Sequence, residues 1–480
     1  MAERGEKLLV GPRIRRLRRT LGLTQAQMAE DLGVSPSYVN LIESNQRPIS
    51  ARLLLTLARV YDIDIGEVSS TGDARIMAEL SEILHDPVMD LDSVPRTEVE
   101  NLVNASPEIA RAFVRLHSKY RALAMRTYSD ANPLSDREKV EVLEASLRSV
   151  EAVREFISAH NNFFPALDDA AAALAAELTL HTDEPNIAMT RRLNEKHGLR
   201  VRIVPSEYMS DQLRFFDRHK RGIDLSEVLP QSGRRFQIAF QLGMLECREL
   251  IDALVREAGL PEGDRDAVGI ARVSLANYFA AALLMPYDRF LKECEKTKYD
   301  VQLLSHRFGT SYEQTAHRLT TLQKPDARGI PFFFVRMDNA GNVSKRMSSG
   351  RFHFSKFGGA CPLWNIHECF ETPDKIRTQI IQMPDDTTYF SIARTISRPE
   401  GPYGQPGARL AIGLGCEIAY ARRLVYAREY NLEALQPARI GVNCYLCDRQ
   451  NCPSRAHAPL NKRLTFDERA RGISVYQFDD

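Results

Sequence analysis

The sequence predicts a multidomain, mainly α protein: an all-α head, a mostly α middle, and a C-terminal α+β region built on an antiparallel sheet. Three observations predict it. The chain has 480 residues, room for three domains at roughly 100–200 residues each. Helical patterns with sharp punctuation continue as far as residue 325. After "QKPDARG" the pattern turns to alternating segments broken by turn residues.

Composition narrows the function classes. Contents of 44% hydrophobic and 26% charged residues are ordinary for a globular protein. A formal net charge of +1 excludes a basic nucleic-acid coat, so any contact with nucleic acid must come from a local patch. No stretch approaches the roughly 18 consecutive apolar residues of a spanning helix, and "MAERGEKLLVGPRIRRLRR" has no signal-peptide core. The expectation is a cytoplasmic protein that does not meet a membrane. In that reducing compartment eight cysteines point to metal binding or redox chemistry rather than disulfides.

Residues 8–68 form the head. In "TQAQMAEDLGVSPSYVNLIESNQRPIS", Thr24 can cap a helix, with Gln27 closing a capping box. Met28, Ala29 and Leu32 share one face, and Gly33 permits a tight turn. Ser35 then caps a second helix that starts at Pro36. Val39 and Ile42 point to the core, leaving Ser37, Tyr38, Asn40 and Glu43 outside, and Leu17, Leu21, Leu53 and Leu57 frame the pair. These are the parts of a helix-turn-helix, whose second helix enters the major groove by its exposed N-terminal part. Seven Arg or Lys among the first twenty residues (4, 7, 13, 15, 16, 18 and 19), against Glu3 and Glu6, suit phosphates. Residues 10–66 closely resemble the XRE, or lambda-repressor-like, DNA-binding family. That resemblance assigns base reading to Ser35, Ser37 and Tyr38, and backbone contacts to Gln25, Asn40 and Arg47. It implies a double-stranded operator bound by a homodimer or higher homo-oligomer.

Residues 70–134 read as a helical connector punctuated by Pro87, Pro95 and Pro107. Residues 135–325 hold longer helical patterns, including the Ala-rich "DDAAAALAAELTL", with one strand expected at "GLRVRIVPS". Residues 328–475 bring the sheet. "PFFFVRMDNAGNVSKRMSS" alternates and turns at Asn339 to Asn342, a hairpin signal, and "TYFSIARTI" and "ARLAIGLGCEIAY" flank the loop "SRPEGPYGQPG".

"RRFQIAFQLGMLE" (234–246) is an amphipathic helix whose setting resembles the ImmA/IrrE-type zinc peptidases. Their helix carries H-E-x-x-H, two imidazoles one turn apart with a general-base Glu. Here those places fall on Phe240, Gln241 and Met244. The segment "ANYFAAALLMP" resembles that family's second helix, which lies beside a third, acidic ligand, yet from Gly269 to Pro286 there is no Asp or Glu. Phe and Met offer zinc no donor and Gln is no base, so peptidase activity is not expected. Phe240, Met244, Tyr278 and Phe279 read first as core, by their helical spacing, and otherwise as the lining of an apolar effector pocket. "VQLLSHRFGTSYEQTAHRLTTL" imitates a second helix-turn-helix but has no basic run beside it, and reads as packing.

"GVNCYLCDRQNC" places Cys444, Cys447 and Cys452 at C-x2-C-x4-C spacing. Structural zinc or an iron–sulfur cluster takes four soft donors. The fourth is open among His457, Cys361 and Cys369, and spacing alone leaves zinc and iron level. Arg439, Arg449, Arg455, Lys462 and Arg463 lie around the motif against Asp448 alone, a setting that suits an anionic cluster. Cys247, Cys294 and Cys416 sit inside apolar patterns and read as buried thiols.

The XRE-type head, the peptidase-like middle without its ligands, "FGGACPLWNIH" and "CYLCDRQNCPSRAHAP" together resemble the short-chain fatty acyl-CoA regulators over nearly the whole chain. The resemblance implies a transcription factor rather than an enzyme, sensing a short acyl-CoA such as acetyl- or propionyl-CoA in the methylcitrate or glyoxylate pathways. It also implies a 4Fe–4S cluster on Cys361, Cys444, Cys447 and Cys452, with zinc as the alternative.

Overall fold

The computed structural model describes most of residues 14–61, 71–120 and 149–478; residues 1–13, 62–70 and 121–148 and short internal stretches, among them 355–359 and 399–406, lie outside the description. Pro87, most of the loop "SRPEGPYGQPG" and the glycines ahead of Cys361 fall in those parts. The chain divides into two compact units. One comprises Met1–Asn132, His457–Gly472 and Tyr476–Asp480, the other Pro133–Ala456 and Ile473–Val475.

In the first unit, α1 (Gln25–Leu32) begins at Thr24, whose hydroxyl accepts from the Gln27 amide while the Gln27 side chain accepts from the Thr24 amide. It ends at Gly33, held left-handed at φ 64°, a conformation that costs glycine little. Ser35 then caps α2 (Pro36–Glu43), with Pro36 at its first position. Met28, Ala29, Leu32, Val39 and Ile42 meet Ile14, Ile49, Leu53 and Leu57 in one small core. Leu21, expected to frame that core, is 43% exposed; the turn that ends the preceding helix carries it outward. Farther along, α3 (Thr71–Leu84) and α4 (Arg96–Ala105) pack through Leu80, Ile83, Val99 and Val103. Leu464–Thr465 and Gln477–Phe478 pair antiparallel.

In the second unit, after a helix over 149–159, come α5 (Pro165–Glu177) and α6 (Pro185–His197), each with proline in its first turn. A three-stranded sheet follows: β1 (Arg200–Val204), β2 (Arg214–Asp217) and β3 (Gly222–Ser226), in the order β1-β3-β2. One strand was expected and three form. β2 ("RFFD") and β3 ("GIDLS") are short segments fixed by pairing: β3 joins β1 in parallel, and β2 pairs antiparallel with β3. Then come α7 (Gln231–Glu246), α8 (Arg248–Glu257) and α9 (Arg265–Leu284). By length and hydropathy α9 matches a membrane-spanning helix, a feature that counting unbroken apolar runs passes over, yet 61% of its apolar window is buried. It is a core helix, packed on α5 and α7. A Cβ on Gly243 of α7 would lie 2.7 Å from the Phe279 ring of α9, so glycine sets how closely the two helices approach.

Three more helices, α10 (Tyr287–Thr297), α11 (Val301–Phe308) and α12 (Tyr312–Leu319), lead into the second sheet. The α11–α12 pair has the capped, glycine-turned look of a DNA reader, but Thr315 and Arg318 on α12 are fully buried, as packing requires. The sheet contains β4 (Phe333–Asp338), β5 (Val343–Ser348), β6 (Arg377–Gln382), β7 (Thr388–Ser397), β8 (Arg409–Glu417) and β9 (Ala438–Arg439), ordered β5-β4-β8-β7-β6-β9. Every pairing is antiparallel except the short β6–β9. The β4–β5 turn forms where the sequence places it: Asp338 Oδ1 accepts from the amides of Ala340 (3.0 Å) and Asn342 (2.9 Å). Period-two alternation gives the sheet two buried faces. Phe334, Phe390, Ile392 and Leu414 meet the helices. Phe333, Val335, Met337 and Tyr389 meet Phe352 and Trp364.

Candidate functional site

Ser35, Ser37, Asn40 and Arg47 are exposed around α2, with Gln25 and Tyr38 half-buried beside them. The Ser35 hydroxyl oxygen accepts from the Tyr38 amide at 3.2 Å, which leaves its O–H to donate outward. The Arg47 guanidinium lies 5.1 Å from the Tyr38 ring centroid. Such exposed stacking is worth about 0.5–1 kcal/mol and fixes both side chains at one edge of the helix. A hollow of about 550 Å³ beside the turn brings Ser35 and Tyr38 together with Ser50 and Thr56.

Glu43 corrects the sequence pattern, which placed it outside. It is 5% exposed and accepts two bonds from Arg18, at 2.6 and 3.1 Å. Gln25 Nε2 donates to the same carboxylate at 2.8 Å and lies 3.3 Å from Asn40 Oδ1. Burial alone would raise the Glu43 pKa; the bonds from Arg18 and Gln25 and the charges of Arg18 and Arg15 bring it below the usual value. A hidden carboxylate thus orients Gln25 and, through it, Asn40. Arg18 is spent on this pair and on the Leu23 carbonyl at 2.8 Å rather than on phosphate. Arg4, Lys7, Arg13, Arg16 and Arg19 of the basic run lie outside the described residues.

In the second unit the helix expected to resemble a peptidase's is α7. Phe240 and Gln241 are buried and Met244 half-buried. Arg214 of β2, which the sequence reading did not single out, closes the centre. Its guanidinium lies 4.2 Å from the Phe240 ring centroid, and its Nη1 donates to Gln241 Oε1 at 2.6 Å. Burial pulls its pKa below the usual value. A fixed organic cation therefore stands beside the positions that would carry zinc ligands.

Tyr278 and Phe279 belong to the same apolar core as Phe240. Tyr278 is anchored: its hydroxyl donates to Asp168 and accepts from the Phe164 amide at 3.1 Å. Arg318 closes on the same carboxylate through Nη2 at 2.5 Å and Nη1 at 3.1 Å, and its Nε donates to the Met285 carbonyl at 3.1 Å. Burial disfavours the charge on Arg318, but Asp168 and Tyr278 outweigh it and raise its pKa. The triad ties α5, α9 and α12 together.

The metal site expected at Cys361, Cys444, Cys447 and Cys452 is not found. Among the described residues no three His, Cys, Asp or Glu side chains are grouped to hold a metal ion, and the eight cysteines are free thiols. The 4Fe–4S cluster and the zinc alternative both fall, as do the versions using Cys369 or His457. Cys361 and Cys369 lie in the apolar core on the far face of the sheet. Burial, and then the Cys447 and Cys444 thiols, raise the thiol of Cys361, and burial raises that of Cys369 to about 12. Burial raises Cys447 in the same way. Two of the arginines around the motif, Arg449 and Arg455, bond backbone carbonyls. Arg455, 4% exposed, donates to the carbonyls of Cys444 (3.1 Å), Cys447 (2.9 Å) and Arg449 (2.6 Å). Arg449 donates to those of Ile440 (3.0 Å), Gln382 (2.8 Å) and Met383 (2.9 Å). Spacing along the chain suggests a metal; guanidinium donors hold the loop.

Comparison with known proteins matches three segments of the chain. Residues 14–68 match the family model "Helix-turn-helix", residues 194–320 "IrrE N-terminal-like domain", and residues 321–476 "Short-chain fatty acyl coenzyme A regulator, C-terminal". The chain is 40% identical over 479 residues to "HTH-type transcriptional regulator RamB" of Mycobacterium tuberculosis, covering 98% of each chain. It is 40% identical over 478 residues to "Propionyl-CoA carboxylase regulator" of Cereibacter sphaeroides, covering 99% of this chain and 100% of that one. To "HTH-type transcriptional regulator PrpR" of M. tuberculosis it is 37% identical over 467 residues, 97% and 95% of the two chains. A solved structure titled "Mycobacterium tuberculosis transcriptional regulator" superposes with a TM-score of 0.65 at 38% identity, covering 68% of this chain and 99% of that one.

Proposed function

The chain belongs to the short-chain fatty acyl coenzyme A regulators, DNA-binding transcriptional regulators with a helix-turn-helix and an IrrE-like domain, and we propose that it changes its grip on a promoter when it binds a short acyl-CoA. The relatives are named as regulators, and the IrrE-like domain here is degenerate, with Phe240, Gln241 and Met244 in place of donors and base.

In this reading residues 8–68 read DNA. Ser35, Ser37 and Tyr38 meet base edges in the major groove, and Gln25, Asn40 and Arg47 hold the sugar–phosphate backbone. A homodimer presents two such helices to paired half-sites. The observation that carries this part is the exposed α2 edge whose polar side chains are already oriented by Glu43 and by the Arg47–Tyr38 stack. Residues 135–325 take the effector. The acyl chain meets the stripe of Phe240, Met244, Tyr278 and Phe279, entering beside half-buried Met244, and acetyl- and propionyl-CoA are the ligands of choice. The name "Propionyl-CoA carboxylase regulator", borne by a relative of matching length, supports an effector of that chemistry. An acyl-CoA shifts promoter affinity only by the difference between its affinities for the DNA-competent and DNA-incompetent states.

Fluorescence anisotropy of labelled duplexes from the chain's own upstream region tests the proposal. Specific binding that changes on adding acetyl-, propionyl- or butyryl-CoA supports it. Binding that every acyl-CoA leaves unchanged removes the effector, and binding no tighter than to random duplex removes the operator.

A further inference from the structure

The sheet face covered by α10 to α12 is apolar over most of its area, with Phe334, Phe390, Ile392 and Leu414 buried in it. At one end the pattern breaks. Strand register sets Lys345 opposite Arg336, Arg336 opposite Ile412, and Ile412 opposite Arg394. Directly opposed residues share a face, so three cations stand in one row across β5, β4, β8 and β7. Arg398 lies just beyond β7, its Nη2 3.3 Å from Glu313 Oε2. Helix α12 packs over the row with Tyr312, Glu313 and His317, whose ring lies 5.9 Å from that of Phe334.

The charges here do not balance. Glu313 serves both Arg336, at 2.6 Å, and Arg398. For Arg394 the ion pair present is with exposed Asp374 at 3.8 Å, too long for a hydrogen bond. Lys345 is half-buried and makes neither a hydrogen bond nor an ion pair among the described residues. Burial, offset in part by Glu313 and reinforced by Arg336 and Arg398, brings its pKa down to about 8. Burial first, then Lys345, Arg318 and Arg336, push His317 well below its usual value, so it adds a neutral ring. Tyr312 is 7% exposed, and its hydroxyl has no hydrogen-bond partner among the described residues. The Arg394 guanidinium lies 5.0 Å from the Tyr312 ring centroid, with its own Nε also unpartnered.

Buried polar groups ordinarily find partners, and buried charges find counter-charges. Here an ammonium, a guanidinium edge and a phenol are left over along one row of cations crossing four strands, with net positive charge. A singly charged carboxylate would leave part of that surplus. A phosphate, with more negative charge and three acceptor oxygens, takes all three donor types.

We infer that Lys345, Arg336, Arg394 and Arg398, with the Tyr312 hydroxyl, form a binding site for the phosphate groups of a nucleotide-type ligand. The choice of ligand rests on the reading of the effector as an acyl-CoA, whose coenzyme portion carries such groups. The site itself rests on the unmatched cations and does not need that reading.

Isothermal titration of the full chain with propionyl-CoA, coenzyme A and inorganic pyrophosphate separates the two. The variants are Lys345→Met and Arg394→Gln, with Tyr312→Phe removing one hydroxyl and nothing else. Wild type should bind pyrophosphate and coenzyme A, and Lys345→Met and Arg394→Gln should each weaken both by about tenfold or more. Tyr312→Phe should weaken them by a smaller factor. Lys345→Met, which removes an unmatched charge, should unfold thermally no earlier than wild type, so lost binding would not reflect lost folding. If all three variants bind every ligand like wild type, the phosphate site is overturned and the acyl-CoA reading survives. If pyrophosphate binds and Lys345→Met abolishes it, while neither coenzyme A nor propionyl-CoA binds, the site stands and the effector reading fails. No binding of any ligand to wild type overturns both.

Discussion

The guanidinium of Arg214 lies 4.2 Å from the ring centroid of Phe240. The ring occupies a helix position that would carry an imidazole in a zinc peptidase, and the cation also bonds Gln241, at the place of the general base. Restoring the motif on α7 alone therefore does not restore chemistry. The triple variant Phe240→His, Gln241→Glu, Met244→His should show no zinc-dependent peptide cleavage. Arg214→Ala in the wild-type background should lower unfolding stability by about 2 kcal/mol, the sum of a partly desolvated ring stack and a hydrogen bond. Urea denaturation and a fluorogenic peptide assay check both, and cleavage by the triple variant contradicts the assignment.

The Asp168–Arg318–Tyr278 triad makes a sharper stability prediction. Arg318 is fully buried, so Asp168→Ala leaves a guanidinium without its carboxylate, at a cost of about 3–5 kcal/mol. Replacing both partners by apolar residues, Asp168→Leu with Arg318→Met, should cost less than Asp168→Ala alone. Urea midpoints of the two variants decide it. The reverse order would mean that the pair is not the element joining α5 to α12.

Glu43 gives the head a pH dependence of definite sign. Its folded-state pKa lies below the usual value of 4.5. The stabilisation is therefore fully present above about pH 4.5 and is lost as pH falls through the lowered folded value. Glu43→Gln should cost about 2 kcal/mol at pH 7, in the range of a charged hydrogen bond, and should flatten the fall in stability below pH 4.5. Thermal unfolding of the chain between pH 7 and pH 2 measures both. Equal acid sensitivity in the two proteins would rule out Glu43 as its source.

Base-reading and backbone-holding residues should separate by salt. Arg47→Ala should weaken all duplexes alike and reduce the slope of log affinity against log salt by about 1. Ser37→Ala should leave the slope unchanged and cost about 1–3 kcal/mol on the operator alone. Anisotropy titrations at several salt concentrations, on operator and random duplex, distinguish them. A salt-slope change for Ser37→Ala, or operator-specific loss for Arg47→Ala, reverses the roles.

What the sequence reveals divides along local and non-local lines. The capping box at Thr24 and Gln27, the turn at Gly33 and the Ser35–Pro36 start are read correctly because each depends on residues within one turn of one another. The hairpin turn at Asn339–Asn342 and the long alternating strands β7 and β8 are legible for the same reason. Strands β2 and β3 are not, because these short segments are fixed by pairing with strands elsewhere. Glu43 looks like a surface residue until Arg18, 25 positions away, closes on it. The cysteine spacing misleads in a similar way. C-x2-C-x4-C records proximity along the chain, whereas Arg449 and Arg455 decide how the loop is held. Arg214, the residue that most alters the reading of α7, carries no signal in its own neighbourhood.

Coupling between effector and promoter is measured most directly in reverse. Linkage requires that the factor by which propionyl-CoA changes operator affinity equal the factor by which operator changes propionyl-CoA affinity. Isothermal titration of propionyl-CoA into the chain, alone and saturated with its operator, should show affinities differing by about 5-fold or more, matching the shift seen by anisotropy. Identical propionyl-CoA affinities with and without operator would contradict regulation of this promoter by that ligand.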